Sequence, residues 1–437
     1  MKKLFIFICW SAVSVTYAQF VAQPLNYPGM GYWPYYFSIA DPEHVWIGTI
    51  HESGIPYSMA VHTDNGGESW IFDSIPVPGI PFITSTASLD SNTCFYVFSD
   101  FNVGGGSIWK TDDAGDNWSC LTTTQFDGGF ANFYHPFTAD TGVAVGDPVD
   151  GYFEIQLTCD GGNTWERLPA VNIPEPIDGE YALTNCYCTY GNSIWFSTTK
   201  GRCFRSVDRG RHWDATRVVT TVSQSFNVCF SSLLTGAFWS MESNNGDIAI
   251  TSDGGVSWDT LAFMPGHIIL HMSNVEGFEE GFVVSTWKNS TNVYFTANMF
   301  ESYQVLGHNM ISTGALDFID ETTGWLSGGE TGSYEIYKFM GVLTKTRSIA
   351  ATGELIQIHP NPASIYSDVI IPPKLISNNS ELNIRGITGQ LIEGIPLING
   401  DIRRLRLDAD KYENGLYLIQ IISDNAPVFS RKWIVAH

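Results

Sequence analysis

One eight-residue phrase, Thr/Ser-x-Asp-x-Gly-x-x-Trp, recurs five times and governs what this chain can fold into. Its copies end at Trp70, Trp118, Trp165, Trp213 and Trp258, in steps of 48, 47, 48 and 45 residues. The third position is Asp113, Asp160, Asp208 and Asp253 in four copies and Asn65 in the first. A fixed period of this size marks a repeat architecture, in which each unit buries its apolar face only against its neighbours.

Each period has the same internal order. A β-rich stretch with a small-residue turn (Phe137 to Gly142 in one case) precedes a second strand, a loop, and a third strand that ends in the phrase. Short strands with Gly and Asp punctuation and no helical periodicity predict an all-β chain. Four antiparallel strands per repeat of this length are the signature of a β-propeller blade. The phrase itself reads as the hairpin between third and fourth strands. Its Asp accepts turn N–H groups, its Gly takes φ > 0, and its Trp starts the fourth strand and anchors the turn. That is a structural role for Asn65, Asp113, Asp160, Asp208 and Asp253 and for the five tryptophans, not a catalytic one.

Blade starts fall near Tyr36, Phe82, Tyr134, Leu183, Phe226, Met272 and Leu316, which predicts a seven-bladed propeller; six or eight blades also fit the spacing. A worn sixth copy runs from Thr296 through Asn298 to Tyr303, 45 residues beyond Trp258. The seventh unit, from about Leu316 to Leu343, has no copy and no evident fourth strand. Residues 19–28 precede the first blade and are free to supply that strand, a closure that joins the chain ends and removes exposed sheet edges. The five phrases resemble the Asp-box, or bacterial neuraminidase repeat, of sialidases, sortilin-type receptors, xyloglucan-active glycosidases and photosystem II assembly-factor propellers. That resemblance covers about 320 residues and implies a fold; its members share no single function.

The N-terminus has Lys2 and Lys3, an apolar run from Leu4 to Val15, and Ala18 before Gln19. This reads as a secretory signal peptide over residues 1–18. No other stretch reaches the length of a membrane-spanning helix. Charge is uneven: residues 19–347 carry 36 acidic and 12 basic side chains, against 9 and 8 in residues 348–437. So acidic a body disfavours nucleic acid and anionic membranes as partners, because that binding rests on Lys and Arg. Seven cysteines remain beyond Ala18, an odd number with no zinc-like spacing. They read as small buried hydrophobes, with room for one bridge in an oxidising exterior.

From Ile358-His359-Pro360-Asn361-Pro362-Ala363 the composition changes. Short alternating strands follow around Leu382, Leu405 and Tyr417, and the chain closes on Arg431-Lys432-Trp433-Ile434-Val435. The pattern predicts a small β-sandwich. The order of these elements resembles the type IX secretion C-terminal sorting domain (type A) of Bacteroidota. The expected organisation is therefore signal peptide 1–18, propeller 19–345, linker 346–355 and sorting domain 356–437. The resemblance implies export, engagement of the type IX machinery as partner, removal of the tail, and release or attachment at the cell surface.

Sialidase chemistry needs arginines from several blades converging on one carboxylate. Residues 19–166 and 218–346 hold no Arg, and five of the six propeller arginines lie between Arg202 and Arg217, so that reading is excluded. In a propeller the loops joining blades, and those between second and third strands, share the face opposite the hairpin phrases. That face is the expected ligand surface. Its candidates are His51, Glu52, Tyr57, Asp100, Phe126, Asp127, Phe133, Tyr134, His135, Asp147, Asp150, Tyr152, Glu175, Asp178, Glu180, Tyr181 and Trp287, aromatics beside carboxylates that suit a sugar ring or a cation. No motif singles out a catalytic pair, a cofactor or a metal, and none is expected. The expected function is an exported propeller that binds a protein or glycan; the alternative is a glycoside hydrolase using paired loop carboxylates.

Overall fold

The computed structural model describes residues 19–23, 25, 32–51, 59–79, 81–100, 104–122, 124–219, 225–243, 246–310, 313–330, 333–344, 357–359, 362–371, 380–386, 390–397, 404–423 and 426–437. The expected signal peptide, residues 1–18, and the whole of the expected linker, residues 346–355, lie outside this set. Among the described residues, seven four-stranded antiparallel sheets form the blades of a propeller. Their inner strands are Tyr32–Ile39, Phe82–Ser88, Ala131–Pro136, Ala182–Tyr190, Phe226–Phe230, Ile268–Asn274 and Thr313–Phe318, and every blade start read from the sequence falls inside one of them. Glycines that open three second strands make room for an aromatic from the inner strand: a side chain at Gly142, Gly236 or Gly324 would collide with Tyr134, Phe230 or Phe318.

The chain closes the ring as its length implied. Strand Phe20–Gln23 is the outermost strand of blade seven, paired antiparallel with Ser333–Phe339 from Phe20↔Phe339 to Gln23↔Ile336.

The hairpin phrase is built the same way in all six copies. The Thr or Ser hydroxyl at its first position accepts the N–H of the fifth residue at 2.8–3.1 Å. One oxygen of the Asp or Asn accepts the N–H of the seventh residue at 2.8–3.1 Å. Asn supplies that oxygen as well as Asp does, which explains Asn65 and Asn298. The hydroxyl and N–H of Ser257 lead in holding the Asp253 carboxyl at about 2, so it is ionised at neutral pH. In the worn copy Phe300 replaces the fifth-position glycine at φ 65. Its ring stacks on Phe282 at 5.1 Å and meets Phe263 at 5.0 Å, and this packing holds a backbone region that L residues rarely adopt.

Two details differ from the sequence reading. Each Trp ends just before its fourth strand (Ile71–Ser74, Ser119–Cys120, Glu166–Arg167, Asp214–Arg217, Asp259–Ala262) rather than starting it. The phrase also docks on the preceding blade as well as on its own. Trp70 meets Trp325 of blade seven edge-on at 5.7 Å, Trp118 meets Trp46 of blade one, and Trp165 donates to the Leu121 carbonyl at 3.0 Å. The box therefore sets blade-to-blade spacing. Trp213 is 5% exposed, stacks edge-on against Phe196 and donates to the Gly210 carbonyl at 2.9 Å. Trp213→Ala is expected to cost about 3–5 kcal/mol in urea unfolding followed by circular dichroism. The same change at the more exposed Trp118 should cost less, and equal losses would contradict the burial argument.

In the tail, a three-stranded sheet (Gln357–His359, Tyr366–Ile370, Arg404–Asp408) and a four-stranded sheet (Ser380–Gly386, Leu391–Leu397, Gly415–Ser423, Ala426–Val435) share one core. Val369 and Leu407 from one sheet pack with Leu382, Ile384, Ile419 and the fully buried Trp433 from the other. The result is a small β-sandwich with its own apolar centre.

Candidate functional site

The inner strands surround a central channel, and blade four obstructs it. In strand Ala182–Tyr190, Ala182 pairs with Thr198 and Tyr187 with Phe196, so residues 183–186 bulge out opposite Ser197 alone. Asn185, at φ 53, sits in this bulge and accepts a 2.8 Å hydrogen bond from Ser85 of blade two. The Thr184 side chain is bonded to Tyr36 of blade one. Blade four neighbours only blades three and five, so contacts with blades one and two must cross the channel. Tyr187 completes the obstruction, stacked on Phe133 at 4.3 Å and donating to the Tyr134 carbonyl at 3.3 Å.

Beneath the bulge lies a cavity of about 380 Å³, in the range of small-molecule sites. Inner strands run from the blade-joining loops toward the hairpin phrases. Blades one, two, three, six and seven line the cavity from the C-terminal halves of their inner strands, so it lies mainly toward the phrase end. Polar side chains line it from all seven blades. Asp317 accepts from Ser273 at 3.1 Å, from its neighbour Phe318 N–H at 3.0 Å, and from the Ile39 N–H, which ties blades six, seven and one together. Burial raises this carboxyl to about 7, partly offset by those bonds. Burial also depresses His135 and His271, both to about 4, so they are neutral at physiological pH. Ser38 and Ser88 share a 2.8 Å hydrogen bond. Among the described residues no group of three His, Cys, Asp or Glu is placed to hold a metal ion.

The loop-face candidates divide into three groups. Phe126, Phe133 and Tyr134 are corrections: they are 1%, 0% and 2% exposed and belong to the apolar seams between blades. His135 is likewise a channel-wall residue, edge-on to Phe137 at 4.7 Å. Glu180, 2% exposed, is held by Arg202 Nη1 at 2.7 Å, the Thr198 hydroxyl at 2.5 Å and the Ile177 N–H at 2.8 Å. A second group converges on blades three and four. One oxygen of Asp147 accepts from Asn132 at 2.8 Å and from the Ala182 N–H at 3.2 Å, and burial raises its carboxyl to about 6. Arg167 lies 4.0 Å over the Tyr152 ring and 3.5 Å from Asp150, and its Nε is 3.3 Å from Glu154. Tyr181 stands half exposed and directly precedes Ala182, whose N–H bonds Asp147.

The rest are dispersed. Asp127, Glu175 and Asp178 are exposed in loops, and Trp287, 44% exposed, ends the second strand of blade six. His51 packs edge-on against Tyr32 at 4.9 Å. Asp100 closes a turn through its carbonyl to Gly104 N–H. Glu52 and Tyr57 lie outside the described residues. The arginine island splits, with Arg202 on the loop face at Glu180 and Arg209 in a hairpin phrase bonded to Asn192 at 2.8 Å.

Sequence reasoning missed Asp317, His271, Asn185 and the cavity itself. The available signal was length: blade four's inner strand has 9 residues, more than any other, with polar Thr184 and Asn185 in its middle.

Residues 357–436 match the family described as "Secretion system C-terminal sorting domain". The tail is thus a type IX sorting domain and the propeller is its exported cargo. No curated protein matches the chain by sequence. Among solved structures it is similar to "YCF48 bound to D1 peptide", with 14% identity, TM-score 0.54, and coverage of 76% of this chain and 98% of the other. YCF48 from Cyanidioschyzon merolae gives 13% identity, TM-score 0.51, and 74% and 98% coverage. The GH74 xyloglucanase from Xanthomonas campestris gives 11% identity and TM-score 0.50, over 80% of this chain but 59% of that enzyme. At these identities the likeness establishes the propeller fold and nothing about activity. Among the described residues no helix is long and apolar enough to cross a membrane.

Proposed function

We propose that this chain is an exported binding propeller, displayed at the cell surface or released, that holds a protein segment or glycan on the loop face of blades three and four without cleaving it. One observation carries this reading: the buried carboxylates gathered there, Glu180, Glu154 and Asp147, are engaged in structure. Glu180 is bonded to Arg202, Glu154 and Asp150 flank Arg167, and Asp147 bridges Asn132 and the start of blade four's inner strand. General acid–base hydrolysis needs one carboxyl free to give a proton and a partner free to take one. Tyr181, Tyr152 and the Arg167 plane are suited instead to stacking on a ring or planar side chain.

The fold alone does not choose between readings, since one propeller of similar shape holds a peptide and another is a xyloglucanase. Asp147 is the residue on which a hydrolase would rest, with its carboxyl raised to about 6. The test is a glycan and peptide array on the mature propeller, with reducing-sugar release measured on xyloglucan and other polysaccharides. Binding weakened at least fivefold by Tyr181→Ala, with no product formed, is expected. Turnover abolished by Asp147→Asn would replace this proposal with the hydrolase reading. Export is tested separately by fusing residues 350–437 to a reporter in a type IX host, where secretion is expected.

A further inference from the structure

Two thiols meet where the inner strands of blades four and five run side by side. Cys188 Sγ accepts the Phe230 N–H at 3.1 Å and lies 3.7 Å from the Phe230 carbonyl, which sets it against the residue that follows Cys229, and the two cysteines pack in one core cluster. Both line the central cavity. The other thiols are placed differently. Cys186 turns back to the Thr184 carbonyl at 3.2 Å, Cys94 and Cys203 are buried within blades, and Cys120 and Cys159 are exposed near hairpin phrases. All seven are free thiols in this structure. The sorting domain sends this chain out of the cytosol, into compartments where adjacent thiols are oxidised and stay so.

We infer that the exported propeller carries a Cys188–Cys229 disulfide, a covalent staple between blades four and five in the channel wall. The bond forms by exchange with a disulfide-bearing oxidant, either a protein oxidase or a small-molecule disulfide. The Cys188 thiolate attacks one oxidant sulfur and expels the other as a thiol, leaving a mixed disulfide. Cys229 then attacks the Cys188 sulfur and releases the second oxidant thiol. Two protein thiols are oxidised, one oxidant disulfide is reduced, and the protein protons end on the departing thiolates. Cys188 suits the first step, because the neighbouring Cys229 thiol holds its own thiol below the ordinary range and the Phe230 N–H adds to this. Cys229 is 4% exposed and burial pushes its thiol up, so it suits attack from within once the oxidant is tethered. The staple fixes the strand that carries the 183–186 bulge and so fixes the floor of the obstructed channel.

The test refolds the mature full chain with oxidised glutathione, unfolds it in N-ethylmaleimide, and reads the intact mass and a non-reducing peptide map. The expected result is two fewer adducts than the seven cysteines and one cross-linked peptide pair joining Cys188 to Cys229. Cys186→Ser should retain that pair, whereas Cys229→Ser should abolish it. The oxidised form should melt roughly 5 °C or more above the reduced form. A full set of adducts after oxidation, or a cross-link through Cys186, would overturn the inference. The peptide map of the unsubstituted chain decides the matter even where a substituted chain folds poorly.

Discussion

A propeller whose first residue is Leu25 rather than Gln19 is expected not to hold its ring. Among the described residues, strand Phe20–Gln23 is the fourth strand of blade seven, and it comes from the opposite end of the propeller chain. Its loss strips four residue pairs from Ser333–Phe339, together with the bond from Met340 N–H to the Gln19 carbonyl at 2.7 Å. It also uncovers a sheet edge that other chains can pair with. Phe20 is 6% exposed, in a cluster with Phe318 and Phe339 at 6.4 and 5.5 Å between ring centres. Phe20→Ala alone should cost about 3–5 kcal/mol. Val21, 47% exposed on the other face of the same strand, should tolerate alanine within about 0.5 kcal/mol. The truncated chain should run as aggregates in size-exclusion chromatography. An unchanged urea midpoint for Phe20→Ala would mean that this strand does not close the ring.

That closure was legible because it is a matter of counting: six units had a fourth strand and the seventh did not. The hairpin phrase was legible because its chemistry is local. Hydroxyl, carboxylate or amide, and turn N–H groups all lie within eight residues, so spacing alone reveals them. The candidate site was harder for the opposite reason. Asn185 finds its partner Ser85 a hundred residues away, and Glu180 finds Arg202 across a strand connection, so neither pairing leaves a local trace. Phe126, Phe133 and Tyr134 stand near loops in the sequence, which suggested a ligand face. In space Phe133 and Tyr134 lie on an inner strand with an apolar seam on either side, and Phe126 folds back over Gly146 to fill such a seam. The sequence shows that an aromatic is near a turn. It does not show which side of the turn has a cavity to fill.

Acid is expected to loosen the propeller well above the pH at which its exposed carboxylates titrate. His62, His135 and His271 each stand at about 4, with burial the leading cause. An unfolded histidine titrates near 6.5. A base whose folded value is depressed binds its proton more readily when unfolded, so its stabilisation is full above 6.5 and is lost as pH falls from 6.5 toward 4. At 1.36 kcal/mol per unit, each of the three accounts for about 3 kcal/mol across that window. Asp317 has the opposite sign. Its carboxyl stands at about 7 when folded against about 3.9 when unfolded, so the folded form holds its proton more tightly and stability declines as pH rises from about 4 to 7. Urea unfolding of the unsubstituted chain and of His271→Gln, measured from pH 7.5 to 4, separates the two contributions. The difference between the two chains should shift by about 3 kcal/mol in favour of the variant at the acid end. Asp317→Asn should steepen the acid loss, because the group that opposed it is gone. A His271→Gln curve parallel to the parent across the whole range would show that this imidazole is hydrated in the channel, and that the cavity between the bulge and the hairpin phrases is open to bulk water.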